Sequence, residues 1–135
     1  MIHQKTWVFA MHNPNAGEDV ALTFTRALAE GRFGEAYEML SSAYKSEVQP
    51  EQLRDHFSSM IEHYGSEVVD IRLLQTDLDS EEYEDSKFIG WYYVSISGPF
   101  LEDRLKPGQW SEAVAVTIIQ ENNKAVITRI DWGRP

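Results

Sequence analysis

Two constellations in this 135-residue sequence combine residue types and spacing suited to chemistry. His56 and His63 stand seven apart, which on a helix is about two turns and roughly one face. A His pair joined by a carboxylate can do acid and base work. The spacing is too long for a metal site of the i, i+4 kind, and His3 and His12 have no visible partner, so no metal site and no cofactor are expected. The plain alternative for both helical histidines is a partly exposed helix position. Arg129 and Asp131 form the second constellation, two apart and therefore on one face of a β-strand. Arg129 there could anchor an anionic ligand, or the two charges could simply neutralise each other. The aromatic set Trp91, Tyr93, Trp110 and Trp132 reads as core and sheet-face packing, and would dominate any interface it reached.

Other chemistries lack their residues. The absence of cysteine excludes disulfides, thiolate nucleophiles and Cys-ligated zinc or iron–sulfur sites. Ser41-Ser42 and Ser58-Ser59 have no nucleophile-elbow context, and there is no glycine-rich phosphate loop. Asp77, Asp79 and Glu81 alternate like the opening of a calcium loop, but Glu82 stands where the sixth-position glycine is needed and Phe88 where the bidentate acid belongs. A solvated acidic turn is the better account. With 22 acidic against 12 basic residues, the formal charge of −10 disfavours nucleic acid and anionic membranes and suits basic proteins or cationic ligands. An acidic surface that only maintains solubility explains the same charge. The apolar run Trp7 to Met11 is too short for a signal segment, and no stretch approaches the about 20 apolar residues of a membrane helix, so the expected setting is cytoplasmic.

The elements that must position these residues follow from hydrophobic period. Residues 1–15 show no clear period and are treated as an N-terminal arm, closed by the turn signal Asn13-Pro14-Asn15. From Ala16 the stripe Val20, Phe24, Ala27 and Leu28 predicts a helix stopped by Gly31, and Phe33, Ala36, Tyr37 and Leu40 predict a second, ending near Ser41-Ser42. Pro50 opens a third, with Leu53, Phe57, Met60, Ile61 and Tyr64 on one face and Gly65 as the stop. The period then changes to two. Val69, Ile71 and Leu73 mark a first strand, and residues 88–97 a second, with Phe88, Tyr92, Val94 and Ile96 on one face and Ile89, Trp91 and Tyr93 on the other. A long loop, residues 98–109, leads to a hairpin from Trp110 to Trp132 around Asn122-Asn123, which accept the positive φ of a primed turn. A two-residue loop sets Ile118 opposite Ile127, Val116 opposite Arg129 and Val114 opposite Asp131. One bulge would exchange the faces of one strand, so pattern alone leaves open whether Arg129 and Asp131 point inward.

Three helices before a curved antiparallel sheet, with ALAEGRFGEAYEMLSSAYK at residues 27–45 and the closing strand AVITRIDW, resemble the NTF2-like (cystatin-like, ketosteroid-isomerase-like) superfamily over residues 16–132. The resemblance implies an α+β cone in one domain, 16–135, with three N-terminal helices packed on the sheet. Phe24, Leu28, Tyr37, Leu40, Phe57, Ile61, Val94 and Ile96 are the expected core. Members include isomerases, dehydratases, carriers, association modules and immunity proteins. In the enzymatic branches an Asp base lines the cone with Tyr or acidic donors opposite; Asp131 and Glu112 are the available carboxylates, and no pair matches a family motif residue by residue. Subtraction of the absent chemistries leaves a non-catalytic binding or interaction domain, taking a small ligand in the cone or a basic protein partner, as an immunity protein would. The alternative is an isomerase or dehydratase that uses a cone-lining Asp. A ligand site would draw on Tyr37, Tyr44, Tyr64, Trp110, Arg129 and Asp131. An isologous homodimer is expected through the outer sheet face, on residues such as Trp91 and Val116.

Overall fold

The computed structural model describes residues 14–64, 68–79, 87–99 and 109–133. Its helices are α1 (Pro14–Ala29), α2 (Phe33–Glu38), α3 (Ser42–Lys45) and α4 (Pro50–Ile61), the last continued by a 3₁₀ turn at Glu62–Tyr64. The strands β1 (Asp70–Asp77), β2 (Phe88–Pro99), β3 (Gln109–Glu121) and β4 (Lys124–Trp132) pair antiparallel in sequence order. This is the expected α+β architecture, helices against a curved open sheet.

Local chemistry accounts for the helix ends. Gly31 takes φ +77°, its N–H reaches the Leu28 carbonyl at 3.2 Å, and the Arg32 N–H reaches Ala27 at 2.8 Å, so the last carbonyls of α1 are satisfied by a left-handed glycine. Pro50 supplies the first position of α4, where the Gln49 N–H donates to Gln52 Oε1 at 2.7 Å. The second helix stops earlier than its stripe suggests. Residues 39–41 leave the helix to pair with β4, the Ile127 N–H donating to the Met39 carbonyl at 2.9 Å and the Ser41 N–H to the Ile127 carbonyl at 2.7 Å. A sheet edge with unpaired backbone groups won over continued helical period.

Helical Phe24, Leu28, Leu40, Leu53 and Phe57 meet Tyr92, Val94, Ile96, Trp110, Val114, Val116, Ile118 and Ile127 from the sheet in one core. Of the eight expected core residues, Tyr37 and Ile61 are only half-buried, packed against its margin. Asn122 and Asn123 do turn the hairpin with φ of 51° and 65°.

The strand faces are corrected at two bulges. In β4 the register runs Ile119 to Val126 and Ile118 to Ile127, then skips Thr128, so Thr117 faces Arg129, Val116 faces Ile130, Ala115 faces Asp131 and Val114 faces Trp132. Ile127 and Ile130 are three apart, and strict alternation cannot turn both inward; one extra residue does. In β2 the same happens at Ile89. Phe88 pairs with Ile119 and leaves the core face, whereas Ile89 packs against the core. Val116 is on the inner face, fully buried, and not on the outer one.

Candidate functional site

The six residues expected to share a ligand site occupy three places. Tyr37 sits on α2 and donates its hydroxyl to the Lys45 carbonyl at 2.9 Å, which ties α2 to α3. Tyr44 is half-buried on α3 beside β4, near enough to Arg129 and Asp131 for their charges to act on it; burial raises its pKa, a backbone hydrogen bond from Ile130 works in the other direction, and the negative Asp131 and positive Arg129 oppose each other. Arg129 and Asp131 follow the Thr128 bulge onto the outer sheet face. They lie 3.3 Å apart with side chains about half exposed.

Tyr64 and Trp110 do come together. Their rings stack at 4.6 Å and 8°, and the Tyr64 hydroxyl donates to Glu112 Oε2 at 3.0 Å. The 3₁₀ turn carries Tyr64 over the open end of the cone, where β3 begins. Trp132 shares the inner face with Val114 across the hairpin and stacks its ring on exposed His56 of α4 at 5.5 Å. His56 therefore acts as a cover for a tryptophan, and the side chain of His63 lies outside the described residues. The inner carboxylate at this end is Glu112, not Asp131. Alternation from Trp110 through Glu112 to Val114 already places it there; the bulge that removes Asp131 has no comparable signature in the sequence.

Side chains fill the concavity behind this opening. Phe24, Leu28, Tyr92, Trp110, Val94 and Val114 are each no more than 1% exposed. Tyr92 projects to Gly17 in the first turns of α1, and burial pushes its phenol up to about 12. Clefts lie on the exterior instead: one of about 290 Å³ beside Gln52, Asp55, His56 and Ser59, and one of about 650 Å³ between α1 and the start of β1. Among the described residues no three His, Asp or Glu side chains gather as metal ligands.

The outer sheet face has a different character. Phe88, Trp91 and Tyr93 of β2 and Ile119 of β3 are partly exposed there, with the rings of Trp91 and Tyr93 5.9 Å apart. Two ion pairs flank them, Arg129–Asp131 on β4 and Arg72–Asp70 on β1, the latter at 2.7 Å. The acidic turn residues Glu81, Glu82, Glu84 and Asp85, residues 1–13 of the expected arm and residues 100–108 of the expected loop lie outside the described residues; Pro14 and Asn15, expected in the arm and its turn, open α1 instead, and Gly98, Pro99 and Gln109, expected in the loop, extend β2 and β3.

No described helix is long and apolar enough to cross a membrane. No curated protein matches the chain. A family model, the NTF2-like N-terminal transpeptidase domain, matches residues 16–132. That span takes in α1 from its third residue, the other three helices whole and all four strands, and the chain belongs to this NTF2-like family.

Proposed function

We propose that this protein is a non-catalytic interaction domain that binds a protein partner through the outer face of its sheet. The observation that carries the reading is the set Phe88, Trp91, Tyr93 and Ile119, large apolar side chains that are partly exposed together on the face turned away from the helices. Aromatic residues with arginine at the margin make the energetic centre of interfaces. The −10 charge favours a basic partner and speeds its encounter. The family description gives a position in transpeptidases and no activity for the domain itself, which agrees with a supporting role.

The test compares retention of protein partners by immobilised wild type, by Trp91→Ala/Tyr93→Ala, and by a variant with Glu81, Glu82, Glu84 and Asp85 changed to Gln or Asn. Each retained protein is then purified and titrated. A folded face variant that binds as tightly as wild type sinks the proposal. The rival reading, a small-molecule isomerase or dehydratase, draws support from one feature, the Glu112 carboxylate held by the Tyr64 phenol at the mouth of the cone. Turnover of a ketone or hydration substrate by wild type, lost in Glu112→Gln, would establish that rival.

A further inference from the structure

The large apolar side chains that stand most exposed among the described residues are Val69 at 59%, Leu74 at 60% and Leu78 at 47%, all on or beside β1. This strand is an edge of the sheet, paired only with β2 among the described residues, whereas the opposite edge at β4 is closed by residues 39–41. An edge of this kind offers a row of backbone donors and acceptors, and apolar side chains on it favour the addition of another strand. The sequence of the edge selects which strand. Residues 68–74 read Val-Val-Asp-Ile-Arg-Leu-Leu, two apolar residues and an acid before Ile71, a base and two apolar residues after it.

We propose that β1 pairs with β1 of a second copy, antiparallel about a twofold axis at Ile71, and that this edge is the dimer interface of the protein. In that register Asp70 of each copy faces Arg72 of the other and Val69 faces Leu73, and the bulge at Leu74, skipped between Leu73 and Gln75 in the pairing with β2, bounds the regular ladder. The exposed Asp70–Arg72 pair within each strand opens into two pairs across the axis. Opposite charges directly across strands attract, and a shift of the axis toward the C-terminal end would bring Asp77 and Asp79 against the acids of the other copy. Centred on Ile71, the two acidic ends point away from each other. The inference is independent of the outer-face reading, because edge pairing leaves Phe88, Trp91 and Tyr93 uncovered.

Sedimentation of the full chain with charge-exchanged variants tests it. Wild type is expected to dimerise at tens of micromolar, and Asp70→Arg or Arg72→Asp, which set like charges opposite each other twice, should each weaken association at least about tenfold. An equimolar mixture of those two variants restores both attractive pairs and should form a heterodimer; Asp70→Arg/Arg72→Asp in one chain should dimerise as wild type does. A monomeric wild type at about 100 micromolar overturns the proposal. So do single variants as dimeric as wild type, or a dimer lost in Trp91→Ala/Tyr93→Ala and kept in the charge variants. Should the charge variants fail to fold, hydrogen exchange of the wild-type β1 amides decides: protection rising with protein concentration is expected, and protection independent of it refutes the interface.

Discussion

Replacing Gly17 with alanine opposes two effects of known size. A β-carbon built at Gly17 falls within 2.7 Å of three atoms of the Tyr92 phenol, and the same is not true of Gly34 in α2, where nothing lies within 4 Å. Alanine in place of glycine within a helix gains up to about 1 kcal/mol, less near the helix start. Overpacking a rigid core costs about 1 to 3 kcal/mol. Tyr92 has no exposed surface, and its ring is also hemmed in by Gly90, so it cannot swing aside and the cost falls at the upper end. Gly17→Ala should therefore destabilise by about 2 kcal/mol net, and Gly34→Ala should stabilise by about 0.5 kcal/mol. Urea unfolding with the slope checked for constancy measures both. Combining Gly17→Ala with Tyr92→Leu should show a coupling of at least about 1 kcal/mol, since the clash needs both groups. A neutral or stabilising Gly17→Ala would refute the placement of α1 across the inner face of β2.

Phe57→Ala should cost about 3 to 5 kcal/mol in denaturant melts, and a loss below about 1 kcal/mol would show that this face of α4 is not buried. Because the folded state holds the Tyr92 phenol at about 12 against 10 in the unfolded chain, the native state binds more protons between those values; stability contributed by neutral Tyr92 is complete below pH 10 and falls as pH rises through 12. The total is roughly 2 to 3 kcal/mol, and melts of Tyr92→Phe should lack that part of the alkaline decline. Asp131→Asn breaks an ion pair exposed to solvent and should change the melting free energy by less than about 1 kcal/mol; a larger loss would mean that Asp131 has a buried role.

Residue pattern by itself determined the type and order of three helices and four strands, and it missed the short α3. The 3.6 period of Phe24, Ala27 and Leu28, the left-handed Gly31, the Pro50 start and the Asn122-Asn123 turn depend on local sterics and one-dimensional spacing, and the structure returns each of them. Alternation along β3 likewise put Trp110, Glu112 and Val114 on one face. What alternation leaves open is the register on either side of a bulge, because one unpaired residue reverses every side chain beyond it. The skip at Thr128 answers to contacts from distant sequence: residues 39–41 pair with Ile127, the Ser41 hydroxyl meets the Thr128 hydroxyl at 3.3 Å, and His56 covers Trp132. Those contacts turned Ile130 inward and Arg129 and Asp131 out to solvent. At Ile89 the space required by the Tyr92 ring leaves Gly90, without a side chain, beside it and sends Phe88 to the outer face. Helix period is a property of the local chain, whereas the facing of a strand is decided by what packs against it, and that information is spread over residues far apart in sequence.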